Sequence, residues 1–313
     1  MSRKIIIDTD PGIDDAVALT SALFDPRLNT LAITATAGTV SPEQATTNVC
    51  SIVSLLDPPR FPRIGKASPP EHAAVSDDRQ LNGPSGLGDL DTGQVERQHL
   101  PPSEKVLAEL LRQHPGEITL VCLGPLTNLA RLCQRDPAAV ELIDKVVVSG
   151  GAFRTPGNAS TVAEFNLYFD PVSANEVFES ATTKSLVPLD VSEKVSFGID
   201  LLDELPSKTS RAGSLLQQLV PFAFRKSLQR LGRELLPLTD ATTIAAVLEP
   251  ELFEWREMAG RVETEGQLTR GMSVFDRRLR PEWKPNMEVA LTADVDAVKG
   301  LVCRGLKYAG QLT

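Results

Sequence analysis

The chain has 313 residues, 42% hydrophobic and 23% charged, with a formal net charge of −9. That length can bury a sizeable core, and the acidic balance argues against nucleic acid polymers, whose phosphates need basic patches. No apolar run approaches the roughly 20 residues of a membrane helix, and two basic residues followed by three apolar ones make no signal peptide, so a cytoplasmic protein is expected.

Residues 4–16 read Lys-Ile-Ile-Ile-Asp-Thr-Asp-Pro-Gly-Ile-Asp-Asp-Ala. The β-branched run suits a buried strand. Pro11-Gly12 breaks it, and Ile13, Val17, Ala18 and Leu19 resume at helical spacing. Asp8 and Asp10 are thus expected at a strand's carboxyl end, with Asp14 and Asp15 in the first turn of a helix. In open α/β sheets ligands bind in that crevice. Two carboxylates about 4 Å apart repel by roughly 4 kcal/mol at an effective dielectric near 20. A helix N-terminus offsets only about 0.3–1 kcal/mol per acid. Four acids in eight residues therefore call for a cation or for protonation, and oxygen-only ligands favour Ca²⁺ or Mg²⁺. The plainer alternative is that Asp14 and Asp15 dress a helix start while Asp8 and Asp10 end a strand.

Thr30 to Ala37 reads as a second strand. Ser41 as cap and Pro42 at the first helical position open a helix to Leu56. Strand, helix, strand, helix points to a parallel sheet with right-handed crossovers. From Asp57 to Pro102 three Pro-Pro pairs and a glycine-rich run from Asn82 to Gly88 mark a long irregular region, a lid or pocket wall or else a surface excursion. Glu104–Gln113 is expected as helix, Glu117–Leu123 and Lys145–Val148 as strands, and Glu164-Phe165-Asn166 as an extended segment before a helix opening at Asp170-Pro171. Ser185–Leu189 reads as a strand closing at Asp190, and 200–236 as mostly helical. Ala241–Leu248 reads as a helix, Trp255–Asp276 and Asn286–Leu291 as short antiparallel edge strands, and Val295–Tyr308 as the last helix. Four cysteines without a CxxC pair read as reduced thiols. The expected architecture is α/β: residues 1–313 as a single domain with one open, mostly parallel twisted sheet flanked by helices and a small antiparallel edge.

The first segment resembles the signature of the inosine–uridine nucleoside hydrolase family, Asp-x-Asp-Pro-Gly-x-Asp-Asp-Ala. Gly124-Pro125-Leu126-Thr127-Asn128, Gly157-Asn158, Glu164-Phe165-Asn166, Leu189-Asp190-Val191 and Thr269-Arg270-Gly271 extend the resemblance in order along the chain. It implies a Ca²⁺ site of Asp10, Asp15, Asp240 and the Leu123 carbonyl. It also implies a ribonucleoside substrate whose N-glycosidic bond is cut by a metal-bound water attacking C1′, with Asp10 as general base. Asp14 and Asn166 would grip ribose hydroxyls, Asn158 and Glu164 the 5′-hydroxyl, and Phe165 would line the sugar. Family members are commonly homo-oligomers, dimers or tetramers.

Each residue also has a plainer reading. Glu164 and Asn166 alternate on one side of an extended segment and could be surface residues, Asn158 a turn residue, and Asp240 a helix N-cap. Four substrate-side positions depart from the family's habit. Thr39 stands for Asn, Asn82 for His, Ser149 for Met and Thr239 for His. The usual imidazoles for protonating the leaving base are therefore absent. His72 and His99 flank the glycine-rich loop, and Trp283, Trp255 or Phe222 could stack on a base.

Alternative functions are hydrolysis of another N-riboside, such as a nicotinamide riboside, and ribose or nucleoside binding without turnover. A phosphatase with Asp8 as nucleophile lacks a place for Pro11-Gly12 and Glu-Phe-Asn.

Overall fold

The structure, a computed structural model, describes residues 2–71, 79–90 and 99–313. Its strands are β1 (Arg3–Thr9), β2 (Leu28–Ala35), β3 (Arg63–Gly65), β4 (Ile118–Cys122), β5 (Ile143–Ser149), β6 (Lys184–Val187), β7 (Ser196–Phe197), β8 (Leu236–Pro237), β9 (Phe253–Met258), β10 (Gly260–Val262), β11 (Ser273–Phe275) and β12 (Met287–Ala293). Eight of these form the central sheet in the order β3-β2-β1-β4-β5-β6-β12-β9. Neighbours are parallel except β9, which runs antiparallel to β12.

The alternation of β1 shows why this sheet needs helices on both faces. Ile5 and Ile7 join one hydrophobic cluster, Ile6 joins the other, and all three are sealed from solvent. Helices Ile13–Phe24, Pro42–Leu56, Arg211–Leu231 and Val295–Leu312 contribute to the first cluster; Ser103–Gln113, Thr127–Arg135 and Pro171–Glu179 contribute to the second. Ser41 caps its helix as expected, accepting a hydrogen bond from the Gln44 backbone at 3.2 Å.

The chain leaves β1 toward β2 and β3 on one side, then returns to add β4, β5 and β6 on the other. That reversal puts a topological switch point between β1 and β4, and the crevice outside their carboxyl ends is the expected ligand position.

Several expectations are corrected. Glu164-Phe165-Asn166 is not extended: Phe165–Phe169 is a short helix, because the Glu164 carboxylate caps it by accepting from the Asn166 and Leu167 backbones. Met287–Ala293 is not an edge strand but lies inside the sheet between β6 and β9, and β9 forms the edge. The β10–β11 and β7–β8 pairs are separate two-stranded ribbons. Asp190 falls in a short helix, Leu189–Ser192. Within the irregular region, β3 and the short helix Arg79–Asn82 are ordered elements; His72 lies outside the described residues. All four cysteines are free, and no helix among the described residues is long and apolar enough to cross a membrane.

Candidate active site

A cavity of about 520 Å³ opens at the switch point. Asp10 follows β1, Thr39 follows β2 and Leu123 follows β4, so three strand ends deliver three lining residues. Asp14 and Asp15 come from the first turn of helix Ile13–Phe24, and Thr239 and Asp240 from the start of helix Thr239–Leu248. Asn158 and Glu164 arrive from the loop after β5, Phe165 and Asn166 from the helix Phe165–Phe169 that ends it, and Asn82 from the short helix Arg79–Asn82.

Of the ligand and substrate residues that the family resemblance implies, and of the four departures from its habit, Ser149 alone does not line the cavity. It lies beneath, its side chain hydrogen-bonded to Asp240. Asp8 also stays out. Its Oδ1 accepts hydrogen bonds from Thr34 and from Asn128, the latter at 2.8 Å, which turns the carboxyl into the sheet interior. Asp240 therefore takes the fourth place among the clustered acids.

Each carboxyl is held by its neighbours. Asp10 Oδ2 accepts from the Thr39 backbone at 2.6 Å. Asp15 accepts from the Thr9 hydroxyl and from the Gly12 backbone, the latter at 2.9 Å, so it also caps its helix. Asp14 Oδ2 accepts from the Thr239 hydroxyl at 2.8 Å and the Asp240 backbone at 3.0 Å; its Oδ1 is buried with no partner. Asp240 is no N-cap: Leu238 holds that position. Asn166 donates to the Leu123 and Ser149 carbonyls at 2.7 and 3.0 Å, tying the β4 and β5 ends together. Both Glu164 oxygens accept backbone N–H groups, from Asn166 on one side and from Gly151 and Leu167 on the other. Asn158 accepts from the Phe165 backbone at 2.8 Å, and Asn82 from the Ile13 backbone at 3.0 Å.

The electrostatics are those of crowded, desolvated acids. Burial, then the charge of Asp15, pushes Asp10 well up; burial, then Asp15, Asp14 and Asp10 in turn, does the same to Asp240. Asp15 is raised by burial, and Asp14 is raised to about 6, again by burial first. Among the described residues no lysine or arginine pairs with any of the four.

The donor chemistry fits a hard divalent cation: oxygen only and acidic, the carboxyls of Asp10, Asp15 and Asp240 being desolvated together. Among the described residues no three carboxylate, imidazole or thiol groups stand together as a ready coordination shell, so the fit rests on chemistry and charge rather than preset distances.

Sequence reading passed over several parts. Glu193, Ser227, Leu231, Arg233 and Leu236 line the cavity too, without belonging to any motif. Asn48 donates to the Pro11 and Ser85 carbonyls at 2.9 and 2.8 Å, clamping the glycine-rich loop onto the first motif. Asn128 of the second motif bridges Asp8 and the Ala35 carbonyl. No imidazole lines the cavity among the described residues: His99 is exposed, and His114 contacts Lys4 at 3.2 Å, at the far end of β1. Nor do the aromatic candidates reach it. Trp255 packs on Phe253, Trp283 lies under Arg261, and Phe222 is buried.

The chain is similar to known proteins over nearly its whole length. Residues 5–300 match the family model described as "Inosine-uridine preferring nucleoside hydrolase". The chain is 35% identical over 309 residues to the non-specific ribonucleoside hydrolase RihC of Salmonella paratyphi B, covering 98% of this chain and 99% of that one. Among solved structures, the plant nucleoside hydrolase PpNRh1 superposes with a TM-score of 0.91 at 28% identity, covering 98% of this chain and 99% of that one. The purine-preferring ribonucleoside hydrolase from Gardnerella vaginalis superposes with a TM-score of 0.90 at 25% identity, covering 99% of this chain and all (100%) of that one.

Proposed function

Because the chain belongs to the inosine–uridine preferring nucleoside hydrolase family, we propose that it performs Ca²⁺-dependent hydrolysis of ribonucleosides to ribose and free base. The observation that carries the proposal is the convergence of Asp10, Asp14, Asp15, Asp240 and Asn166 on one cavity at the sheet's switch point.

Asp10, Asp15, Asp240 and the Leu123 carbonyl would hold the ion. When bound, Ca²⁺ supplies positive charge that acidifies a water and fixes the ribose diol. Asp10 accepts the proton of the attacking water. Its carboxyl is aimed by the Thr39 backbone, which donates to Oδ2 at 2.6 Å. Asp14 Oδ1 is a free buried acceptor suited to a ribose hydroxyl. Asn166 grips the sugar beside it, Asn158 and Glu164 the 5′-hydroxyl, and Phe165 lines the sugar. Asn82, Thr39 and Thr239 complete the substrate side. Ser149 acts from beneath, through Asp240.

A second reading, binding without turnover, is favoured by one observation: no imidazole lines the cavity among the described residues. Incubating the protein with a panel of ribosides, including a nicotinamide riboside, and assaying free ribose separates the two. Release that stops with chelator and returns with Ca²⁺ supports hydrolysis; binding with no ribose released supports the second reading. We further propose a homo-oligomer, dimer or tetramer, acting in the cytoplasm, which light scattering and fractionation would check.

A further inference from the structure

Among the described residues six acidic side chains line the cavity, Asp10, Asp14, Asp15, Glu164, Glu193 and Asp240, against one cation, Arg233. Its position is built rather than incidental. Helix Arg211–Leu231 ends at Gly232 with φ of 65°, and the Arg233 backbone N–H donates to the Ser227 carbonyl at 3.4 Å. The Ser227 hydroxyl returns a bond to the Arg233 carbonyl at 3.3 Å. Arg233 Nη1 then meets Glu193 Oε1 at 3.2 Å, and the other guanidinium N–H groups have no protein acceptor among the described residues. Leu231 and Leu236 line the cavity from the same stretch of chain, Leu231 half exposed, whereas Asp10 comes from a strand end.

We infer that Arg233 reads the departing base, selecting bases that present two adjacent acceptors, as an oxopurine does, over aminopurines. The inference rests on the hydrolase reading above. A cavity wall that pairs leucine side chains with a guanidinium having unused N–H groups suits a planar heterocycle. When the C1′–N bond breaks, its electron pair goes to the base nitrogen, while water oxygen bonds to C1′ and its proton goes to Asp10. The base is left anionic and takes its proton from solvent. A guanidinium cannot supply that proton, but it stays charged and donates two parallel N–H bonds to where the negative charge spreads. Hypoxanthine and guanine offer O6 and N7 to such a fork; adenine offers N7 beside an amino donor that opposes it. Glu193 is the positioning residue that holds the fork's other side.

The test compares Arg233→Gln, Arg233→Lys and wild type on two readouts: kcat/KM for inosine and adenosine, and calorimetric binding of free hypoxanthine and adenine. Arg233→Gln should lower the inosine-to-adenosine ratio, and the hypoxanthine-to-adenine affinity ratio, by about 10- to 100-fold, the discrimination of one bidentate pair. Arg233→Lys, with the charge but not the fork, should leave both ratios lowered. Glu193→Ala should blunt the same ratios and Glu193→Gln restore them. Equal losses on both bases, unchanged ratios, or full restoration by lysine would overturn the assignment. If wild type releases no ribose from any riboside, the hydrolase reading fails, and the affinity ratio alone still decides the role of Arg233.

Discussion

Asp14 divides its carboxylate between fold and cavity: Oδ2 takes the Thr239 hydroxyl and the Asp240 backbone, while Oδ1 faces no partner. Thr239 is thus more than a missing histidine, because its hydroxyl orients the proposed ribose ligand. Thr239→Val should remove about 1 kcal/mol of that support, the net worth of one ordinary hydrogen bond. Steady-state kinetics should show KM several-fold higher with kcat little changed; an equal loss in kcat would assign Thr239 to the chemical step instead. Asp10 illustrates the opposite economy of space. A Cβ at Gly38 or at Gly124 would run into one or the other of its carboxylate oxygens. Gly124→Ala should therefore displace the proposed base and lower kcat by about 100-fold or more, within the usual range for a general base. Near-normal turnover in that variant would remove Asp10 from the role. Asp10, Asp14 and Asp15 were legible in the sequence because they sit in one contiguous motif, whereas Asp240, far along the chain, came only through the family resemblance. Arg233 and Glu193 were not legible, because forty residues separate two side chains that only the chain's return to the cavity brings within 3.2 Å.

Between residues and fold lies the loop after β5, which carries Asn158 and Glu164. Asp190 pins it by accepting from the Phe153, Arg154 and Thr155 backbones at 2.9, 2.9 and 3.2 Å. The resemblance flagged Leu189-Asp190-Val191 without a role, and the structure supplies one: three backbone donors gathered on one carboxylate. Asp190→Ala leaves those donors without their acceptor, a loss of about 1–3 kcal/mol. Its melting temperature should fall, and KM for nucleosides should rise more than kcat drops, since the loop touches the proposed 5′-hydroxyl site. Unchanged KM would detach the loop from substrate binding. At this scale the parallel strands were readable from β-branched runs of the β1 kind. The helix Phe165–Phe169 was not, because its start depends on a glutamate used as cap, a role that Ser, Thr, Asp and Asn more often fill. β12 was misjudged because a strand's place in the sheet depends on its partners β6 and β9, which its own residues do not name.

For the molecule as a whole, the sheet's two buried faces provide the stability and its switch point opposes it, by collecting acids away from water. Asp8, within β1, is raised to about 7 and Asp14 to about 6, both chiefly by burial. Each folded-state value exceeds the unfolded one, so the folded state binds more protons. Without metal, the contribution of these two carboxyls to stability is fully present below the unfolded value of 3.8 and is lost as pH rises through about 6 and 7. At 1.36 kcal/mol per unit, Asp8 alone accounts for a loss of at most about 4 kcal/mol. A bound cation reverses the slope for the acids it touches, because it binds their deprotonated forms and releases protons. Chelated protein should therefore melt lower at pH 8 than at pH 5. Calcium should raise the melting temperature more at pH 8, by several degrees when the ion is at about 100 times its Kd, worth about 2.7 kcal/mol. Asp8→Asn should flatten the slope of the chelated protein and keep the calcium response, since Asp8 stands outside the cavity; Asp10→Ala should abolish that response. Calorimetry of the four combinations decides the matter: a calcium shift absent at pH 8, or one that survives Asp10→Ala, would move the metal away from these carboxylates.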